Sequence, residues 1–372
     1  MSSTVKSLKV TYNSINVNNT FTNGDYLLGH VTLEVAKDCQ IDTLSIKFKG
    51  KSEVLWTERH GQTTVVYHSK DKYFSIKHYF IRSKDDGSET ILTQENGQPY
   101  NSVVAPGRHV YPFTFQFPDK CMPSSFKGSV GKIVYLLEAK LGRSMRVDQK
   151  DSTKLHFVAK PDLSSDQGVM SPQNRHTEKK MKVFTSGSVS MEAKLEKTGF
   201  FQGEGLKVVA SIHNNSSREI KPKYTIYTKH SFFANGRRRL STKDLLKEVG
   251  DSIAPSSKEN FTRVINVPHD AEPSICNCSN IKVEYRLRVY LDVKYASDPE
   301  IKFPIVILPN PRFPAVAPSN SASDFGAVGG TNPPPWDFAP PQPPVAFNPL
   351  APPPSYGEYR AYPPLNDFKT QF

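Results

Sequence analysis

The stretch from Pro118 to Leu141 occurs twice in this chain. At a constant offset of 150 residues, Pro118, Pro123, Ser124, Lys132, Tyr135, Leu137 and Leu141 map without gaps onto Pro268, Pro273, Ser274, Lys282, Tyr285, Leu287 and Leu291. Further upstream, Phe21-x-x-Gly24-Asp25-x-Leu27 reappears as Phe200-x-x-Gly203-Glu204-x-Leu206, at an offset of 179. Two unrelated domains sharing only strand chemistry would match in apolar type but not at Pro and Ser, so the pattern specifies a tandem of similar domains. The offsets differ by 29, which places about that many extra residues of the first copy between Gly24 and Pro118. A chain of 372 residues has room for two such units.

Within each copy the apolar residues alternate. Leu8, Val10, Tyr12 and Val31, Leu33, Val35 read as short strands with period two, and the pattern continues through Thr63–Tyr67, Tyr73–Ile76, Tyr111–Phe117 and Ile133–Leu141. Clusters of Gly, Pro, Asn and Asp separate them, and no amphipathic helix interrupts the series. Many short strands at this spacing predict an all-β chain of two β-sandwiches rather than a parallel α/β sheet. The expected boundaries are 1–160 for the first domain, 161–182 for a polar linker, 183–308 for the second domain and 309–372 for a tail. One stretch departs from the strand pattern, Thr242 to Gly250, and is expected to be at most a short helix or loop crossing.

The tail holds 17 of the 30 prolines, carries little charge and is expected to be disordered. It contains Pro353-Pro354-Ser355-Tyr356, a PPxY motif. Consecutive prolines pre-form a polyproline II helix that a groove of two aromatic rings can grip, while Tyr356 fills a neighbouring pocket. That is the mode of WW-domain binding, with Pro353, Pro354 and Tyr356 as contacts. Chance occurrence in a proline-rich tail is the competing explanation.

The net charge is +12; three cations and four carboxylates in the tail leave +13 on residues 1–308. That excess favours acidic partners. Lys47, Lys49 and Lys51 alternate with apolar residues and should share one face of a strand, a basic ladder that Lys6 and Lys9 could widen. Contact with acidic cargo or an anionic membrane is one reading of it, and an ordinary solvated sheet face the other. Arg237-Arg238-Arg239-Leu240-Ser241 would suit a basophilic kinase acting on Ser241, or be a charged hairpin loop. Lys and Arg are spread over both domains without a nucleic-acid recognition module, so nucleic acid is not an expected partner.

Chemistry-bearing motifs are absent from the sequence. It has no Gly-x-Ser-x-Gly, His-Glu-x-x-His or Gly-x-Gly-x-x-Gly. Gly50-Lys51-Ser52 resembles a P-loop end, but position 45 is Ser and no helix follows. Cys276-Asn-Cys278 would present two thiols on one side of a strand, yet a zinc site needs two more ligands with their own spacing. No catalytic residue, metal or cofactor is expected. Four cysteines, the lack of an apolar leader in Met1–Val10 and the lack of a membrane-length apolar run point to a cytosolic protein.

Taken together, these residues resemble the arrestin-domain-containing proteins, the alpha-arrestins. The likeness is carried by Gly24-Asp25 with Gly29-His-Val31-Thr-Leu33, by Trp56-Thr57-Glu58, and by Tyr111-Pro-Phe113-Thr-Phe115-Gln-Phe117-Pro118. Pro123-Ser-Ser-Phe126-Lys-Gly128 and Ile133-Val-Tyr135 add to it, as do Gly250-x-x-Ile253-x-Pro255 and Asn277-Cys278-Ser279-Asn-Ile281-Lys-Val283-Glu-Tyr285 in the second half. The resemblance implies two immunoglobulin-like arrestin sandwiches. It also implies an adaptor that joins cytoplasmic segments of membrane receptors or transporters to WW-domain HECT-type ubiquitin ligases at the plasma membrane and endosomes. Family members often carry two PPxY motifs and this chain has one. A retromer-like sorting or coat scaffold acting without a ligase is the rival reading, and it predicts indifference to Tyr356.

Overall fold

Phe21 and Phe200 are completely buried, and each is followed three residues later by a glycine with φ of +81°. Glycine alone adopts that conformation without strain, which explains Gly24 and Gly203. The acidic residue that comes next closes the turn on itself. Asp25 Oδ2 accepts the Thr22 N–H at 2.8 Å, and Glu204 Oε2 accepts the Phe201 N–H at 2.7 Å. Their carbonyls then receive the N–H of Phe117 and of Val267, both at 2.9 Å. One local chemistry builds the same corner twice.

The computed structural model describes residues 4–82, 90–161, 167–180, 187–293 and 298–310. The first domain comprises β1 (Val5–Tyr12), β2 (Thr20–Phe21), β3 (Tyr26–Val35), β4 (Cys39–Gln40), β5 (Thr43–His60), β6 (Thr63–Arg82), β7 (Thr90–Ile91), β8 (Val103–Val104), β9 (Gly107–Gln116), β10 (Phe126–Lys127), β11 (Gly131–Gly142) and β12 (Gln149–Phe157). Its two main sheets run β1-β3-β9 and β2-β12-β11-β5-β6-β7. The second domain has β13 (Gln173–Lys180), β14 (Ser188–Leu195), β15 (Gly199–Phe201), β16 (Gly205–Asn214), β17 (Lys221–Ala234), β18 (Arg237–Val249), β19 (Ser257–Asn266), β20 (Ile281–Asp292) and β21 (Glu300–Leu308). Its sheets, β13-β14-β16-β19 and β15-β21-β20-β17-β18, repeat the order of the first domain's main strands, with β13 added at an edge of the smaller sheet and, among the described residues, no counterpart of β7 beside β18. The additional residues of the first copy lie in its longer β5–β6 hairpin and in the segment between β6 and β9.

Alternation in sequence becomes alternation in burial. Along β11, Ile133, Tyr135, Leu137, Ala139 and Leu141 are buried while the residues between them are not; β20 repeats this with Val283, Tyr285, Leu287, Val289 and Leu291. The first core is aromatic, with Phe117 packed at ring-centroid distances of 4.8–5.2 Å against Phe48, Phe21 and Phe157. Tyr135 and Tyr285 each bury a ring and satisfy its hydroxyl on a backbone carbonyl, of Pro123 and of Glu272, both at 2.6 Å. An unpaired buried hydroxyl would cost about 1–3 kcal/mol, so the corner turns to meet the ring.

Three expectations need correction. The repeat is not gapless: Ser125, not Ser124, makes the paired hydrogen bonds with Phe157 that Ser274 makes with Ile307, so one residue is offset between Pro118 and Phe126. Residues 161–182 are not simply a linker, because Gln173–Lys180 pairs antiparallel with β14 along its whole length. Thr242–Val249 is neither helix nor loop but part of strand β18. Asn235 and Gly236, at φ of 49° and 72°, form a two-residue turn that lays the chain back on β17, and the ladder overrides the helical propensity of Leu, Lys and Glu.

Candidate functional site

Strand β5 places Lys47, Lys49 and Lys51 on the outer face of the larger sheet, alternating with buried Ile46, Phe48 and Ser52, as the sequence predicts. The ladder is partly neutralised. Lys49 Nζ donates to Glu138 Oε2 at 2.9 Å and Lys51 Nζ to Glu53 Oε2 at 2.8 Å, while Lys132 stands 3.8 Å from Glu53. The Lys51 hydrogen bond, against opposing burial and helped by Lys51, His68 and Lys132, holds the Glu53 carboxyl down at about 2. Burial acts to raise Glu138, but the Lys49 hydrogen bond and the charges of Lys49, Lys150 and Lys47 prevail and keep it below the usual range. Lys47 has no carboxylate within ion-pair distance among the described residues.

Register enlarges this face in a way that spacing within one strand cannot show. Lys47 lies opposite Lys77 on β6 and Glu138 on β11; Lys140 lies opposite Lys150, and Leu136 opposite Lys154. Lys77, Lys132, Lys140, Lys150 and Lys154 therefore join the ladder, with Glu53, Glu138 and Asp148 interspersed. Lys140 is paired with Asp148 at 2.7 Å. Lys6 and Lys9 do not widen it, because β1 belongs to the other sheet, where Lys6 approaches Glu34 at 3.7 Å.

A second region is the junction of the two domains. Phe126 stacks edge-on against His230 at 5.1 Å and lies 6.4 Å from Phe232. Polar contacts continue the seam: Ser279 Oγ donates to Asp71 at 2.9 Å, Asn280 Nδ2 to Ser69 at 3.2 Å, and the Tyr73 hydroxyl meets Cys278 Sγ at 3.2 Å. Cys276 and Cys278 do not lie in a strand, and Cys276 is exposed while Cys278 is buried. Cys121 is exposed and accepts a contact from Asn277 Nδ2 at 3.1 Å. Among the described residues no three His, Cys, Asp or Glu side chains converge on a possible metal position. No helix among them is long and apolar enough to cross a membrane.

Ser241 is exposed within β18, and Arg237, Arg238 and Arg239 open that strand instead of forming a loop. Pro353, Pro354 and Tyr356 lie outside the described residues.

Duplicated sandwiches with matched corners, joined through an aromatic and polar seam, define a tandem arrestin-type architecture. Residues 8–164 match the family described as "Arrestin (or S-antigen), N-terminal domain", and residues 185–312 its C-terminal counterpart. Human "Arrestin domain-containing protein 4" is 29% identical over 296 residues, covering 77% of this chain and 68% of that protein. Rat "Thioredoxin-interacting protein" is 26% identical over 308 residues, 82% of this chain and 74% of that protein. The chain belongs to the arrestin-domain-containing, or alpha-arrestin, family.

Proposed function

We propose that this arrestin-domain chain is a non-enzymatic trafficking adaptor. In this reading the tandem engages a cytoplasmic segment of a membrane receptor or transporter, and the tail delivers a WW-domain HECT-type ubiquitin ligase through Pro353, Pro354 and Tyr356. The arrestin-type character rests on family membership. The ligase contact rests on one observation, a PPxY sequence placed in a proline-rich tail behind the two domains. The work is done by proximity: tethering raises the ligase's effective concentration near cargo lysines, so ubiquitylation, endocytosis and endosomal sorting follow without new chemistry. The site of action is the cytoplasmic face of the plasma membrane and endosomes, with the basic sheet face as the surface turned toward anionic lipid or acidic cargo.

Binding of WW domains to the full chain and to Tyr356→Ala, beside recovery of ubiquitylated membrane proteins with each form, tests this. Loss of both signals in the variant is the expected result. Unchanged binding and ubiquitylation would sink the ligase-adaptor reading.

A further inference from the structure

Strand β18 ends its sheet. Among the described residues its only strand neighbour is β17, and no backbone hydrogen bond outside that ladder reaches Arg237–Val249. Half of its amides and carbonyls therefore face outward, available to another extended chain. From Arg237 to Lys243 the register against β17 is unbroken; the irregularity comes later, at Leu245. No proline or glycine interrupts the strand, and every residue from Arg237 to Asp244 is exposed.

The charges are arranged as well as numerous. Arg237, Arg239, Ser241 and Lys243 lie opposite Ala234, Phe232, His230 and Thr228, so all four occupy one side of the sheet. Three cations thus stand in a row with repeats of about 6.8 Å, interrupted once by a serine. Arg238 lies on the other side, donating to Ser231 Oγ at 2.8 Å. Among the described residues no carboxylate comes within ion-pair distance of Arg237, Arg238, Arg239 or Lys243. The strand's own acids are engaged elsewhere, Asp244 with Lys247 and Glu248 with Arg263. Isolated lysines are enough to protect an edge from aggregation. A same-face row of unpaired cations along a regular free edge does more, because it selects what can add there.

We propose that the free edge of β18 is a docking edge for an extended acidic segment of a partner protein, which adds as a further strand and sets carboxylates at alternate positions opposite Arg237, Arg239 and Lys243. Main-chain hydrogen bonds would supply adhesion, and the cation row would supply register and sign. This goes beyond the adaptor reading and does not depend on the tail, since the edge is built entirely from the second domain.

The test uses the full-length protein and a fluorescent synthetic peptide alternating Glu with Thr, followed by fluorescence anisotropy. Arg239→Glu with Lys243→Glu should weaken binding by about tenfold or more. Both side chains are exposed, and far-UV circular dichroism of the same preparation verifies the fold. Two further peptides carry N-methyl groups on one or the other set of alternate amides. Strand addition requires that one set abolish binding and the other leave it intact. Equal binding of both methylated peptides would show attraction by charge alone and overturn the proposal, as would indifference to the double variant. If the double variant instead lost binding only to vesicles containing phosphatidylserine, the edge would be a lipid contact and the proposal would fall. Tyr356→Ala should bind the peptide as the unaltered protein does, so failure here and failure of the ligase reading are separable.

Discussion

Gly131 in the first domain and Phe232 in the second approach so closely that a methyl group on the glycine would lie 2.7 Å from the ring's Cδ1. Gly128 leaves room for the same ring, its Cβ position falling 2.6 Å from Phe232 Cζ. Phe232 is fully buried, and the seam between the domains is built around it. Phe232→Ala should cost about 3–5 kcal/mol. The loss should appear in denaturant unfolding as destabilisation with a second, separate transition once the domains no longer report on each other. A single, unshifted transition would show that the seam contributes nothing to cooperativity.

Duplicated tyrosine corners make a matched pair of experiments. Tyr135→Phe and Tyr285→Phe each remove one buried hydroxyl whose partner carbonyl then goes unmet, and each should cost about 1–2 kcal/mol. Both phenols are pushed upward in pKa by burial, so neither hydrogen bond should weaken at mildly alkaline pH. Equal losses in the two variants would confirm that the corners are energetically equivalent; a negligible loss in either would break the equivalence.

The Glu53 pair makes acid sensitivity specific. Its carboxyl, about 2 in place of the ordinary 4.5, contributes stability that is fully present above about pH 4.5 and is lost as pH falls toward about 2. Solvent reaches the pair, so the contribution is on the order of 1 kcal/mol. Glu53→Gln should lower stability at neutral pH and flatten that limb of the stability curve. A variant whose acid limb matches that of the unaltered protein would place the acid loss elsewhere.

Charge reversal on the basic face tests whether it meets a surface. Lys47→Glu with Lys150→Glu should weaken binding to vesicles containing phosphatidylserine by more than about tenfold in co-sedimentation, at roughly 1 kcal/mol per charge near the membrane, with the difference shrinking at high salt. Unchanged sedimentation would make the ladder an ordinary solvated sheet face.

Ser241 interrupts the cation row of β18. Ser241→Glu, standing for the phosphorylated residue, should weaken acidic-peptide binding to a degree similar to Arg239→Gln alone, because each lowers the charge of the row by one. Anisotropy titration of the two single variants compares them, and tighter binding by Ser241→Glu would contradict the arrangement.

Much of the architecture is legible in the sequence. Phe21-x-x-Gly24-Asp25 and its copy encode their corners locally: a ring to bury, a glycine for positive φ and a carboxylate for the free amide. Local chemistry of this kind survives in any context that keeps the ring inside. The signal that would have found β18 was also present, since Asn235-Gly236 is the commonest two-residue hairpin turn, yet the helix-forming residues after it obscured the strand. Propensity loses there because alternate residues of β18 gain paired ladder hydrogen bonds to β17 and the strand's partly buried leucines pack against the core.

What the sequence determined alone was therefore the period of each strand, the chemistry of its turns, the duplication, and which side of its own strand each lysine occupies. Tertiary structure decided which strands lie side by side. Glu138 neutralises Lys49 from 89 residues away, Lys150 and Lys154 join the ladder through β12, Lys6 and Lys9 are excluded from it, and Phe232 crosses into the first domain. Alternation assigns a residue to a face but says nothing about its neighbour across the ladder. Register between distant strands is settled only when both cores close around their rings, and the single-residue offset at Ser125 and Ser274 lies in corners outside the alternating strands, where the hydrophobic pattern carries no record of it.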